Sequence, residues 1–402
     1  MRHNKMILGT VVLLIVGVLF VSFQLINNNK TEEVVSYSIG ADDFRDEAAV
    51  DNLMKQKSRL ITVENFHATK LNNNRDLYIY LPPSYYKNTS KKYPVLYVQD
   101  GKGVFYNSDW SKESLNMHLK ADELISNGKI EEVIIVGISN IGEQRASEYA
   151  HWDGVDGIFV KGKGALYEDF VISDVVPFIE KHFKAKTGRE NTAIMGASLG
   201  GFVTFNIGMR NPEIFSKIAV QSPFLGWGEE QLLDKIREGE YKDKRNIKMW
   251  MDMGSAESEF MTVMRKVVNA LLEKGYKPVD ELAVFEMSGG KNSEGSWAER
   301  VDDILIYFYG EPGKPSQLEL KANEKVSISE QNNGIYRHIN PVIIYESGMR
   351  ITDLTGSCSV SDESIAEVDD SGTINAKKEG TVSLTYKTST DLTGTTTIKI
   401  VK

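Results

Sequence analysis

The sequence is poor in the residues from which proteins build covalent staples and metal centres. It has one cysteine, Cys358, and six histidines among 402 residues. A single cysteine excludes an intramolecular disulfide and a cysteine-based metal site. No cluster of histidine and aspartate has the spacing of metal ligands. We therefore expect no metal and no other cofactor, and a fold that is stabilised by packing.

The sequence also lacks a block of basic residues. Its formal net charge of -9 comes from 47 Lys and Arg and 56 Asp and Glu, which are interspersed along the chain. Nucleic-acid-binding proteins carry a basic patch, so we expect no nucleic-acid partner. A hydrophobic content of 41% is typical of a folded globular protein. The length leaves room for one large domain and one small domain.

An uncharged run at residues 6–26 follows Arg2 and Lys5. About 20 residues are enough for a helix to cross a bilayer. Because no small-x-small cleavage site follows the run, we predict an uncleaved signal anchor over residues 1–26, with secretion after cleavage as the alternative. The two basic residues predict a cytoplasmic N-terminus, so the rest of the chain would lie outside the cell.

Two further regions precede the C-terminal part. Residues 27–58 are polar and acidic, which predicts a stalk with one short helix. In residues 59–310, strand-like apolar runs alternate with helix-like runs, which predicts a mostly parallel sheet with helices on both faces. The strand-like runs are residues 77–81, 94–98, 133–138, 192–195, 218–221, 247–252 and 282–285.

A hinge rich in proline and glycine, residues 310–316, separates this region from residues 316–402. The last region has short alternating runs between turn residues, which predicts a small all-β sandwich. Two of its turns resemble the signature of the bacterial Ig-like group 2 module. Their residues are Val368, Asp369, Gly372, Ala376, Gly380 and Thr381. The resemblance implies an Ig-like domain that acts as a spacer or contacts the cell wall.

The strongest chemical motif is a GxSxG box at residues 196–200, with Ser198 at its centre. It follows an apolar strand-like run and precedes a helix-like run, as in the nucleophile elbow of α/β hydrolases. Small flanking residues permit the strained backbone that exposes the serine hydroxyl. Ser198 is therefore a candidate nucleophile, and its chemistry requires a downstream acid and a histidine.

Two more segments strengthen this interpretation. Residues 95–105 (VLYVQDGKGVF) and 145–149 (RASEY), together with the elbow, resemble the esterase family that includes esterase D, feruloyl and acetyl-xylan esterases, siderophore esterases and mycolyltransferases. The resemblance spans about residues 60–310. It implies a three-layer α/β-hydrolase sandwich that cleaves carboxylic esters through an acyl-serine. It also implies that the backbone amides of Lys102 and Leu199 form the oxyanion hole.

The same resemblance supplies a candidate acid. The family has a loop of the form G-[ST]-x-[DE] after a strand, and residues 254–257 (GSAE) match it. Glu257 would then be the carboxylate that orients the histidine and stabilises its charged form. Asp252 and Glu259 are the rival carboxylates.

The histidine itself is missing from its expected place. Related esterases have a segment of the form G-x-x-H-[SN]-E-x-x-W, and residues 289–297 read GGKNSEGSW, which puts Asn292 in the histidine position. An amide is far too weakly basic to accept the serine proton near neutral pH. The only histidine after Ser198 is His338, beyond the hinge. His151 is the best candidate for a substitute base.

Two functions are compatible with these features. The first is a cell-surface serine carboxylic-ester hydrolase scaffold that is impaired because of Asn292. The second is an inactive pseudo-esterase that binds a polysaccharide ester or a lipid ester at the cell surface. A relocated base, or an isolated change from histidine, would also fit the first function. Acetylated or feruloylated cell-wall sugars are the preferred substrates, followed by a siderophore ester.

Overall fold

The computed structural model describes residues 36–108, 111–154, 160–226, 228–329 and 337–402. No helix within these ranges is both long enough and apolar enough to span a membrane. The predicted anchor, residues 6–26, lies outside the described residues.

The largest element is a sheet of nine strands. They are β1 (Ser36–Gly40), β2 (Leu60–Ala68), β3 (Asn73–Tyr80), β4 (Val95–Gln99), β5 (Ile134–Ile138), β6 (Thr192–Ala197), β7 (Lys217–Gln221), β8 (Lys248–Gly254) and β9 (Leu282–Met287). Their order is β1-β2-β3-β5-β4-β6-β7-β8-β9. The six strands β5, β4, β6, β7, β8 and β9, in this order, pair with one another in parallel. Strand β3 is antiparallel to both of its neighbours, β2 and β5. Every predicted strand overlaps one of these strands.

Helices connect the strands and cover both faces of the sheet. They are α1 (Glu47–Gln56), α2 (Lys102–Phe105), α3 (Met117–Ser126), α4 (Arg145–Tyr149), α5 (Gly164–Asp169), α6 (Val176–His182), α7 (Leu199–Arg210), α8 (Glu229–Arg237), α9 (Ser258–Glu273), α10 (Glu294–Ala298) and α11 (Val301–Tyr309). A π-helical turn, Phe170–Val175, joins α5 to α6, and short 3₁₀ turns cover Ala41–Arg45, Gly142–Gln144 and Arg189–Asn191.

The alternation of side chains along β4 shows how the layers form. Tyr97 enters one hydrophobic cluster, while Leu96 and Val98 enter the other. Successive side chains of a strand point to opposite faces, so the sheet is buried on both sides. This is the three-layer α/β sandwich that the sequence predicted.

The prediction of a stalk is wrong for residues 36–58. Strand β1 pairs in parallel with β2, so these residues extend the main sheet. Leu53 is fully buried, and the ring of Phe44 lies 4.9 Å from that of Phe178 in α6. The few apolar side chains are scattered among acidic ones in the sequence. Their burial depends on residues more than a hundred positions away, which local composition cannot reveal.

The C-terminal region, over its described residues, contains strands and no helix. The strands are β10 (Pro315–Lys321), β11 (Lys325–Ser327), β12 (Asn340–Tyr345), β13 (Arg350–Thr352), β14 (Ser357–Val360), β15 (Ala366–Val368), β16 (Ile374–Ala376), β17 (Gly380–Lys387) and β18 (Thr393–Val401). They form sheets in the orders β10-β12-β13, β11-β18-β17-β14 and β15-β16. The resemblance to the Ig-like module stays a prediction.

This C-terminal region contacts the edge of the main sheet through specific hydrogen bonds. In β9, the Glu286 amide donates to Thr352 Oγ1 at 2.9 Å, and the Glu286 carbonyl accepts from Asn340 Nδ2 at 2.6 Å. Thr352 Oγ1 in turn donates to Asn340 Oδ1 at 2.9 Å. An uncovered edge strand offers unpaired backbone groups to other chains. Here the side chains of Thr352 and Asn340 provide hydrogen-bond partners for the backbone amide and carbonyl of Glu286 on that edge.

We predict that Thr352→Val lowers the free energy of unfolding by about 1–3 kcal/mol, because it leaves the buried Glu286 amide without an acceptor. Urea titration measures the change. Thr397→Val, at an exposed position of β18, is the control and should change the value by less than about 0.5 kcal/mol. Equal effects of the two substitutions would contradict the role of Thr352.

Candidate active site

Ser198 lies in a sharp turn between β6 and α7. Its backbone has φ 55 and ψ -124, a conformation that is strained for a residue with a side chain. The turn is possible because two glycine backbones pass very close to each other. A Cβ atom on Gly196 would lie 2.2 Å from the carbonyl oxygen of Gly200. The Ser198 amide donates to the Gln221 carbonyl at 3.0 Å, which fixes the turn to the end of β7. This geometry is that of a nucleophile elbow.

The two predicted oxyanion donors each begin a helix. Lys102 is the first residue of α2, and Leu199 is the first residue of α7. The first amides of a helix have no acceptor in a preceding turn, so they point away from the helix toward an external acceptor. Lys102 and Ser198 line the same cavity.

Asp100 holds the loop that carries Lys102. It has a positive φ of 62. Its carboxylate accepts two hydrogen bonds from the Arg145 guanidinium, both at 2.7 Å, and a third from Asn140 Nδ2 at 2.7 Å. The following Gly101 is so close to β5 that a Cβ atom there would lie 2.7 Å from the backbone of Gly137. Arg145 therefore positions the loop that carries Lys102.

The cavity has a volume of about 1000 Å³. Ser198, Lys102 and Asn292 all contribute to its wall, together with the aromatic rings of Tyr78 and Trp297. The structure thus brings together three residues that are far apart in the sequence. No three His, Cys, Asp or Glu side chains are grouped as metal ligands in the described parts of the chain.

Glu257 lies just beyond β8 and is 7% exposed. Its Oε1 accepts from Ser222 Oγ at 2.7 Å and from the Gly254 amide at 3.0 Å. Its Oε2 is buried and has no hydrogen-bond partner among the described residues. Burial raises the pKa of Glu257, and the hydrogen bond from Ser222 partly offsets this effect. One oxygen of this carboxylate is therefore held in place while the other is left open.

The rival carboxylates are in different situations. Asp252 is fully buried, with Oδ1 bound to Arg300 Nη1 at 2.5 Å and Oδ2 bound to Trp250 Nε1 at 2.7 Å. Neither of its oxygens is left for a base. Glu259 lies in the first turn of α9 and is exposed to solvent. Glu257 is the only one of the three that is both buried and open at one oxygen.

The loop that carries Asn292 is bound to the loop that carries Glu257. The Ala256 amide donates to the Gly290 carbonyl at 3.0 Å. A Cβ atom on Gly254 would lie 2.1 Å from the Gly290 backbone, so the two loops are in close contact. Asn292 lines the cavity at an exposed position. In the described structure no side chain is hydrogen-bonded to the Ser198 hydroxyl.

His151 is not placed to act as a substitute base. Its Nε2 is hydrogen-bonded to Glu168 Oε2 at 2.9 Å. Its Nδ1 faces the backbone of Gly164, where a Cβ atom would come within 2.7 Å of it. His151 is not among the described residues that line the cavity. Glu168, in α5, therefore engages Nε2, while Nδ1 is buried and has no hydrogen-bond partner among the described residues.

The other described histidines also lie away from the cavity wall. They are His67, hydrogen-bonded to Asn74; His118, buried in α3 beside Phe105; His182, packed on Phe44; and His338, hydrogen-bonded to Thr373. No described histidine therefore stands beside Ser198.

Sequence reasoning missed Ser222 and Arg300. Ser222 follows β7 with a positive φ of 37. Arg300 is fully buried and donates to Asp252, to Ser222 Oγ and to the Ser296 carbonyl. Neither residue belongs to a recognisable motif, and only their burial beside Glu257 reveals them.

A parallel sheet with a serine elbow after a central strand, and a buried carboxylate after a later strand, defines the class of α/β hydrolases. The chain belongs to the Esterase family, described as "Putative esterase", whose model matches residues 68–308.

The chain is also similar to individual proteins. The endo-1,4-beta-xylanase/feruloyl esterase of Xylanibacter ruminicola is 30% identical over 205 residues, which is 50% of this chain and 25% of that protein. The uncharacterized protein YbbA of Bacillus subtilis is 26% identical over 249 residues, 59% of this chain and 93% of the relative. The solved structure of the BES protein from Bacillus cereus has a TM-score of 0.52 at 18% identity, covering 63% of this chain and 96% of that one. This last likeness shows the fold.

We predict that Glu257→Gln stabilises the protein relative to the unsubstituted chain by an amount that grows with pH. Burial raises the pKa of Glu257 in the folded state. The stability that the protonated Glu257 carboxyl contributes is therefore fully present below the unfolded pKa of about 4.3 and is lost as pH rises through the higher folded pKa. Glutamine does not titrate.

Urea titrations at several pH values between about 4 and 8 measure this difference. The control is Glu259→Gln, a nearby exposed position, which should not reproduce the gain in stability with rising pH that is expected for Glu257→Gln. If the difference in stability between Glu257→Gln and the unsubstituted chain does not change with pH, burial does not raise the pKa of Glu257.

Proposed function

We propose that this protein is a serine carboxylic-ester hydrolase scaffold. In it Ser198 is the nucleophile, the amides of Lys102 and Leu199 stabilise the oxyanion, and Glu257 is the acid. The observation that carries the proposal is that Ser198, Lys102 and Asn292 line the same cavity, with the open oxygen of Glu257 in the adjoining loop.

The reaction would proceed in two steps. Ser198 Oγ attacks the ester carbonyl and expels the alcohol, which leaves an acyl-serine; water then releases the acid. The developing alkoxide would accept hydrogen bonds from the two amides, and each such donor contributes about 3–4 kcal/mol in characterised serine hydrolases. Both steps require a base that accepts a proton from Ser198 or from water and returns it to the leaving group.

Asn292 cannot perform that proton transfer, so we propose that the enzyme is impaired. Loss of the base from a serine triad typically costs a factor of about 10⁴ to 10⁶ in turnover. The residues around Asn292 still suit a charged imidazole. Arg300 is paired with Asp252, which leaves the negative charge of Glu257 without a matching buried cation among its hydrogen-bond partners. A protonated histidine at position 292 would supply that cation.

We predict that Asn292→His raises kcat/KM on a short-chain p-nitrophenyl ester at least about a hundredfold, the low end of what a general base supplies. Initial rates near neutral pH measure the effect. Asn292→Gln is the control: it changes the side chain without adding a titratable group and should stay at background. Adding Ser198→Ala to Asn292→His should remove the gain. Equal rates for the unsubstituted chain and Asn292→His would overturn the assignment of position 292.

The second candidate function is a pseudo-esterase that binds a polysaccharide ester or a lipid ester without cleaving it. The neutral Asn292 at the wall of a cavity of about 1000 Å³ favours it. Labelling of Ser198 by a fluorophosphonate separates the two functions. If neither the unsubstituted chain nor Asn292→His hydrolyses esters or is labelled, the binding function is supported.

For the substrate we propose an acetylated or feruloylated cell-wall sugar, with a siderophore ester as the second choice. The support is the similarity to a protein named endo-1,4-beta-xylanase/feruloyl esterase. The aromatic rings of Tyr78 and Trp297 in the cavity wall also suit a phenolic acyl group.

We also propose that residues 6–26 anchor the protein in the cell membrane, with the folded domains outside and the C-terminal domain in contact with the cell wall. The support is the uncharged run behind Arg2 and Lys5. We predict that the mature protein is found in the membrane fraction with its N-terminal segment intact, as measured by peptide mapping. A secreted form whose N-terminus lies beyond residue 26 would contradict the anchor.

A further inference from the structure

A buried hydrogen-bond network lies behind the acid of the proposed site, and it is centred on Arg300. Ser222, Asp252 and Arg300 are all fully buried. Arg300 Nη1 binds Asp252 Oδ1 at 2.5 Å, and Arg300 Nη2 donates to Ser222 Oγ at 3.0 Å. A buried arginine is costly unless its charge is paired and its donors are satisfied. Here Asp252 pairs the charge, and the Nη2 group of the guanidinium donates to Ser222.

The direction of the hydrogen bonds along this network is fixed. A guanidinium donates and cannot accept, so Ser222 Oγ is the acceptor from Arg300. The Ser222 hydroxyl proton is then available for Glu257 Oε1, which lies 2.7 Å away. The Gly254 amide donates to the same oxygen at 3.0 Å. Oε1 is therefore held by two donors, and Oε2 is the only oxygen of Glu257 left for a partner.

Arg300 also contacts the segment that carries the base position. Its Nε donates to the Ser296 carbonyl at 3.3 Å. Ser296 Oγ accepts from the Lys291 amide at 2.9 Å, next to Asn292. One side chain thus connects the acid, through Ser222, with the turn that presents residue 292. Lysine could not replace it, because a single ammonium lacks the planar fork that reaches several acceptors at once.

We propose that Ser222 and Arg300 are positioning residues of the active site: they fix Glu257 through Oε1, direct Oε2 to the side chain at position 292, and hold the turn that carries this side chain. The proposal rests on the proposed function, because it assigns the network to the orientation of the triad. Neither residue touches the substrate. Ser222 and Arg300 are not among the described residues that line the cavity.

The experiment introduces Ser222→Ala and, separately, Arg300→Lys into the full chain that carries Asn292→His. We expect each substitution to lower kcat about tenfold or more and to change KM by less than about twofold. The reason is that hydrogen bonds to charged groups are stronger than those between neutral groups, and the bonds removed here orient the carboxylate of Glu257. The matched controls are Ser84→Ala and Arg59→Lys. Ser84 donates to Glu132, and Arg59 pairs with Asp122, but neither lines the cavity. The controls should leave kcat unchanged.

A second readout does not depend on activity. Ser222 lowers the pKa of Glu257 through its hydrogen bond, against the larger effect of burial. In the chain that retains Asn292, the difference in unfolding free energy between the Glu257 and Glu257→Gln forms is expected to change with pH. Ser222→Ala should shift this change to higher pH. Ser84→Ala should leave this difference where it is. A merely structural serine would lower stability equally at all pH values.

The outcomes are distinguishable. If Asn292→His is inactive, the proposed function fails, and the stability difference alone decides whether Ser222 acts on Glu257. If Asn292→His is active and Ser222→Ala and Arg300→Lys keep full kcat, the positioning role is overturned although the function stands. An unshifted stability difference with Ser222→Ala would overturn it as well. Should Arg300→Lys fail to fold, Ser222→Ala, which removes one hydroxyl, carries both tests.

Discussion

The site depends on a backbone contact that only glycine allows. Gly196 and Gly200 pass so closely that a single added Cβ atom would lie 2.2 Å from a carbonyl oxygen. This contact lets the chain turn from β6 directly into α7, and it holds Ser198 at a strained φ of 55. A second contact of the same kind, between Gly101 and Gly137, sets the loop of Lys102. Two tight backbone contacts therefore help to bring Ser198 and Lys102 to one cavity.

Around the acid, the constraint is electrostatic. Arg300 is the only cation in the buried network, and Asp252 already neutralises it through an ion pair. Glu257 is buried with one oxygen satisfied and one open, and burial raises its pKa. Such an arrangement costs stability. In serine hydrolases the buried acid orients a histidine and stabilises the imidazolium that forms during the reaction. At position 292 this chain has a neutral amide, which forms no such cation.

The change at position 292 is confined to one part of the site. The elbow glycines, the Asp100 and Arg145 pair beside the loop of Lys102, and the hydrogen bonds that hold Glu257 are all in place. A site under no functional demand would be expected to lose several of these together, because each is strained or buried and so costs stability. On the proposed function, we infer from these surroundings either a recent loss of the base or a retained binding role for the cavity.

The success of sequence reasoning differed between elements for identifiable reasons. Apolar runs such as residues 192–195 and 218–221 predicted the central strands correctly, because strands buried on both faces are apolar throughout. The region around Phe44 was mistaken for a stalk, because its few apolar residues are buried only by a distant helix. His151 was a reasonable substitute base by its position in the sequence. Its ring is instead bound to Glu168, in α5.

The sequence by itself determined the fold class, the candidate nucleophile and the absence of a histidine at position 292, because strand patterning, the GxSxG spacing and residue identity are local properties. Only the tertiary structure decided which of three candidate carboxylates is buried with one oxygen open, and only it revealed that Ser222 binds that carboxylate and Arg300 binds Ser222. The physical reason is that the state of a buried charge depends on its partners. Those partners come from β7, β8 and the segment before α11, which are adjacent in space but separated along the chain.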